Sequence, residues 1–118
     1  MAKSFRELLV WQKGIQLVVL VYRLSKQFPR EETYGLSNQM RRSAVSIPSN
    51  IAEGQAHFSR AEFVHFLRHS SGSLAELETQ LLIAQRLEYA DQAKVEALLK
   101  QVVEVGKILN GLINSLKK

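Results

Sequence analysis

The stretch MRRSAVSIPSNIAEG, Met40 to Gly54, sets a proline inside a pattern that is helical on both sides of it. At 100° per residue, Met40, Ala44, Ile47 and Ile51 share one side of a helix, while Gln39, Ser43, Ser46, Asn50 and Glu53 share the adjacent side. Arg42 and Ser49 point in a third direction, with Arg41 near Val45 and Pro48. Pro48 has no N–H to donate and crowds the carbonyl of Ala44, so the spacing predicts one helix bent at the proline. A separate helix beginning at Pro48 would hold roughly two turns before Gly54, too few to stand alone. Ser43 or Ser46 could bond the carbonyls that the proline frees, which makes serine beside a bend structurally sensible.

Outward from this stretch, helix signals continue in both directions. Ser4 with Glu7 has the pattern of a capping box, predicting a first helix from Phe5 to just before Phe28-Pro29. REETYG connects it to the second helix, Tyr34 to Glu53, which Gly54 should end. Ser59 with Glu62 starts a third helix that runs to Leu87, and Asp91 caps a fourth that runs to Leu116. Short links between long helices predict an all-α, up-down-up-down antiparallel four-helix bundle with a proline-kinked second helix, one domain over residues 1–118.

The core can be read from the stripes. In the fourth helix Val95, Leu98, Val102, Val105, Leu109, Leu112 and Leu116 alternate steps of three and four. The third helix aligns Phe63, Leu67, Ser70, Leu74, Leu77, Leu81 and Ala84, and the small side chains of HSSGS at its centre would admit a neighbouring backbone closely. The first helix has two apolar stripes, one of Leu8, Trp11, Ile15, Val18 and Tyr22, the other of Val10, Leu17, Val21, Leu24 and Phe28. A surface helix needs only one. Two predict burial against the bundle and against another subunit, with Val21 and Leu24 at the subunit contact; a more central helix is the alternative.

Charge and composition narrow the function. The 118 residues carry a net charge of +5, with six basic groups against one acid in residues 1–30. Such a balance suits an anionic partner, or ordinary solubilising charge. There is no cysteine, hence no disulfide or thiolate metal site. The longest apolar run, Leu17 to Tyr22, falls far short of the ~20 residues that span a bilayer, and the N-terminus does not look like a signal peptide. A soluble cytoplasmic protein with no membrane role is expected.

Catalysis finds little footing. Ser46 and Ser49 lack the base and orienting group that a nucleophile needs, one carboxylate at Glu53 makes no acid–base pair, and no Gly-rich phosphate loop occurs. His65 and His69 are four apart with Glu62 on the same side, but the HExxH pattern is absent, so neither a metal nor another cofactor is expected. The cations Arg41 and Arg42, with Lys13, Arg23, Lys26 and Arg30 of the first helix, are the candidates for phosphate contact. Lys117 and Lys118 read as a mobile tail. No recognition helix or base-stacking platform is evident, so sequence-specific readout is not expected.

FRELLVWQK from Phe5, YGLSNQMRRSAVSIPSNIAEG from Tyr34, SRAEF from Ser59 and GSLAELETQL from Gly72 together resemble the bacterial 23S rRNA intervening-sequence proteins. The resemblance covers nearly the whole chain, in order. It implies a four-helix bundle with a kinked second helix and a ring-like homopentamer. A related branch, the accessory variability determinants of diversity-generating retroelements, implies a basic barrel that binds nucleic acid and a protein partner. The chain departs from the family at Ala56-His57, where Gly-Arg is common, and at Ser71, where alanine is common. The expectation is therefore a non-enzymatic homo-oligomer that binds RNA or DNA weakly and without sequence preference. In it Val21, Leu24, Ser43, Ser46, Pro48, Asn50 and Glu53 form the subunit contact, and an arginine of the 41–42 pair bridges to Glu53 of a neighbour. A structural or protein-binding adaptor whose polar second-helix stripe recognises another protein is the rival reading.

Overall fold

Leu8 sets the first boundary of the structure, a computed structural model that describes residues 4–57 and 59–117. The Ser4 hydroxyl accepts from the Arg6 N–H at 3.1 Å and closes a single 3₁₀ turn, Phe5–Glu7. Leu8 is extended, so α1 spans Leu9–Ser25 rather than starting at Phe5. After a second 3₁₀ turn, Arg30–Glu32, come α2 (Leu36–Gln55), α3 (Arg60–Arg86) and α4 (Gln92–Leu116).

Two of the expected caps hold the later helices. Ser59 accepts from the Glu62 N–H at 3.2 Å, and Asp91 from the Lys94 N–H at 3.2 Å. α2 starts later than expected because Glu32 supplies its cap, accepting the Leu36 N–H at 3.0 Å and the Tyr89 hydroxyl at 2.8 Å. These two bonds hold the Glu32 carboxyl below its ordinary pKa, the backbone bond contributing most, and the same carboxylate raises the Tyr89 phenol. α3 ends in a Schellman motif: Glu88 takes a left-handed conformation (φ 57°) while the Tyr89 N–H reaches the Ala84 carbonyl at 3.1 Å. Lys117 caps α4, its N–H 3.3 Å from the Asn114 carbonyl, so it continues the helix end; Lys118 lies outside the described residues.

Each helix packs on its neighbours in chain order, and α1 also packs on α4; among the described residues the diagonal pairs stay apart. Gly14 faces Pro48 and Ile47 while Arg41 reaches Tyr22 and Ser25, so α1 and α2 run in opposite directions. Ser46 meets Ser73 and Gly54 meets Phe63 and Phe66, which gives the same relation between α2 and α3. Gly54 is not the stop signal it resembles. It lies inside α2 with no positive φ, and a Cβ there would sit 2.6 Å from the Phe66 Cβ. The residue is small because two helices meet at it.

One hydrophobic core joins all four helices. The fourth-helix stripe is buried from Val95 to Leu109; beyond it Leu112 and Leu116 are partly buried against the core and Ile113 joins it, since a 3.6-residue turn drifts from a 3.5-residue repeat. In α1 the outcome reverses the expectation. Val10, Leu17, Val21 and Leu24 are all buried, with Phe28 just beyond the helix, so Val21 and Leu24 belong to this chain's own core and not to a subunit contact. The other stripe lies at the edge of the core: Leu8, Trp11 and Val18 are partly buried against it, Ile15 and Tyr22 are exposed, and Trp11, Ile15 and Val18 line an apolar groove with Val45, Pro48, Ser49 and Ala52 of α2.

Candidate nucleic-acid interface

The carbonyls of a helix's last turn lack backbone donors and carry partial negative charge, so a cation is favoured there. At the end of α1 that cation is Arg41. Its Nε donates to the Ser25 hydroxyl at 2.8 Å, and one terminal nitrogen makes a long 3.5 Å contact with the Tyr22 carbonyl. Its guanidinium lies over the Tyr22 ring, 4.6 Å from the centroid. Ser25 completes the unit by donating to the Tyr22 carbonyl at 3.1 Å. Arg41 is thus held within its own chain by Ser25 and Tyr22.

Arg41 also lines a cleft with Ser25, Lys26, Phe28, Pro29, Arg30, Thr33 and Ser37. Three of the six candidate cations, Lys26, Arg30 and Arg41, therefore meet at the turn from α1 to α2, with Lys26 and Arg30 exposed. Three hydroxyls, on Ser25, Thr33 and Ser37, stand among them, and no pattern of spacing marked these in the sequence.

The other three cations go elsewhere. Lys13 pairs with Glu104 of α4 at 3.0 Å, which neutralises it. Arg23 lines a cleft between α1 and α4 with Leu20, Leu24, Gln27 and Lys94 among others. Arg42 is exposed on the α2–α3 side, in a polar cleft with Asn38, Gln39, Ser43, Ser46, Ser73, Glu76 and Gln80.

The residues expected at a subunit contact are mostly spent within the chain. Ser46 shares a 2.8 Å hydrogen bond with Ser73, and Asn50 donates to the Ser46 carbonyl and hydroxyl at 2.8 and 2.9 Å. The Ser70 hydroxyl donates to the Ile47 carbonyl at 2.8 Å. Asn50 and Ser70 thus add side-chain donors to the carbonyls of Ser46 and Ile47, the two residues before Pro48. Ser43 and Pro48 are buried, and Glu53 is exposed. Gln80, which the apolar stripe passed over, is 8% exposed and its Oε1 has no hydrogen-bond partner.

His65 and His69 bring their Nε2 atoms to 3.2 Å, in a shallow cleft with Arg68, Gly72, Ser73 and Glu76. Among the described residues no three histidine, aspartate or glutamate side chains converge as metal ligands, and no helix is long and apolar enough to cross a membrane.

A family model described as 23S rRNA-intervening sequence protein matches residues 6–111. A solved crystal structure, of a protein of unknown function from the S23 ribosomal protein family of Bacteroides thetaiotaomicron VPI-5482, is 28% identical with a TM-score of 0.82. The match covers 89% of this chain and 98% of that one. No curated protein matches.

Proposed function

We propose that this chain, which belongs to the 23S rRNA-intervening sequence protein family, is a non-enzymatic nucleic-acid-binding bundle that grips phosphate at the α1–α2 turn. The observation that carries this reading is the meeting of Lys26, Arg30 and Arg41 in one cleft. Cations of this kind contact phosphate oxygens without reading bases, while the Ser25 and Thr33 hydroxyl protons are already given to the Tyr22 and Arg30 carbonyls and hold the turn. Binding is therefore weak per subunit and indifferent to sequence. Three phosphate contacts give log K a slope against log salt of about −2 for a single strand.

Self-association strengthens it, because each copy repeats the cleft and linked weak contacts add through effective concentration. The outward groove of Trp11, Ile15, Val18, Val45 and Ala52 is the contact surface in this reading, and the family resemblance favours a ring of five copies. The test is fluorescence anisotropy of a random single-stranded RNA at several salt concentrations, alongside sedimentation of wild type and Ile15→Asp/Val45→Asp. Lys26→Glu/Arg30→Glu should abolish most of the affinity and flatten the salt slope, whereas Arg42→Glu, on another side, should change it little. Salt-independent binding, or full affinity in the Lys26/Arg30 variant, overturns the reading.

The rival, a protein-binding adaptor, is favoured by one observation: the orphaned Gln80 Oε1 in the polar α2–α3 cleft, an acceptor without a donor. Loss of a co-purifying protein on Arg42→Glu, with RNA affinity absent in the wild type, would support it instead.

A further inference from the structure

Residues four apart on a helix stand one above the other, so His65 and His69 present their rings to the same patch of solvent. Their Nε2 atoms are 3.2 Å apart and the ring planes are inclined by 78°. A hydrogen bond between neutral imidazoles uses one nitrogen as donor and the other as acceptor, and at an exposed site water competes for both. A metal ion uses both lone pairs at once. With metal–nitrogen distances of about 2.0–2.1 Å, a 3.2 Å separation corresponds to a nitrogen–metal–nitrogen angle of roughly 100–105°. That lies between the square-planar and tetrahedral angles.

The surroundings favour the same conclusion. Phe66 lies beside the pair, edge-on to His65 at 5.5 Å and tilted to His69 at 6.4 Å, while His57 stacks on its ring at 5.1 Å. Gly72 opens the next turn, since a Cβ there would find no atom within 4 Å, which leaves room for an ion and its waters. Arg68 brings one opposing positive charge to this cleft, and Glu76 one negative charge.

We propose that His65 and His69 form a bidentate site for a divalent first-row transition-metal ion on the exposed face of α3. Two imidazoles select borderline ions, with Cu2+ held more tightly than Zn2+, and do not hold Mg2+ or Ca2+. The remaining coordination positions belong to water or to an anion supplied from solution. This inference is independent of the nucleic-acid reading, whose cleft involves none of these residues.

The test is titration of the full chain with Cu2+ and with Zn2+, followed by calorimetry and by the thermal midpoint. Electron paramagnetic resonance of the Cu2+ complex counts the equatorial nitrogens. Wild type should bind one ion, show two imidazole nitrogens and melt higher with Zn2+. His65→Ala and His69→Ala should each weaken binding on the order of a hundredfold, because each removes the chelate partner. His57→Phe keeps the stack on Phe66 and should bind as wild type does. Affinity unchanged in either alanine variant, affinity lost only in His57→Phe, or a single-nitrogen Cu2+ spectrum in the wild type overturns the proposal.

Discussion

Gly54→Ala measures how much the bundle depends on the close approach of α2 and α3. The added Cβ would lie 2.6 Å from the Phe66 Cβ, 3.1 Å from the Phe63 Cδ1 and 3.3 Å from the Phe63 carbonyl oxygen. Carbon atoms rest comfortably at about 3.5–4.0 Å, so the helices must part by roughly 1 Å at this point. The Phe66 Cβ is anchored to its backbone and cannot swing away as a side-chain tip would. Alanine is the better helix former by about 1 kcal/mol, and overpacking costs about 1–3 kcal/mol. Farther along the same seam, Ser70 to Ile47 and Ser46 to Ser73 are both 2.8 Å bonds that lengthen as the helices splay, each worth about 1 kcal/mol. The net expectation is a loss of about 2 kcal/mol. Gly72→Ala is the matched comparison: it is exposed within α3, its Cβ meets nothing within 4 Å, and it should gain up to about 1 kcal/mol. At roughly 4 °C per kcal/mol for a chain this size, thermal unfolding at one protein concentration should put the variants about 12 °C apart, on opposite sides of wild type. If Gly54→Ala melts at or above wild type, the helices do not meet there as described and the packing argument fails.

Four further outcomes test the ends of the helices. Glu32 has a depressed folded pKa, so its contribution is present above the ordinary glutamate range and is lost as pH falls through the folded value. Glu32→Gln should therefore be less stable at neutral pH and lose less on acidification, which a series of urea unfolding curves would check. Tyr89, raised by the same contact, gives the mirror case: its contribution fades above about pH 10, and Tyr89→Phe should remove that alkaline loss. Glu88→Gly relieves a left-handed side-chain residue and should stabilise by up to about 1 kcal/mol in denaturant titration, against destabilisation if the Schellman turn is absent. Arg41→Ala should cost about 1 kcal/mol, with Arg41→Lys recovering only part, because the Nε bond to Ser25 needs a guanidinium; equal stability of all three proteins would make Arg41 solvated surface.

Local features were legible before any fold was known. The Ser59 and Asp91 caps, the buried stripes of α3 and α4 and the all-α class follow from spacing within a few residues, and spacing survives whatever the rest of the chain does. The spacing of His65 and His69 is local in the same way. The sites were not local. Two apolar stripes on α1 are equivalent in the sequence, and the positions of α2 and α4 alone decide that Val21 and Leu24 face inward while Ile15 and Tyr22 face out. Gly54 reads as a helix stop, and only the distance to Phe66 shows it to be a contact point inside α2. Arg41 finds Tyr22 and Ser25 across the α1–α2 register, and the same register gathers Lys26 and Arg30 around it while Lys13 is drawn to Glu104. A sequence thus determines which side chains share a helix face, because helical period is a property of the backbone. Which faces meet, and so which charges stand together, is decided by packing between segments far apart in the chain.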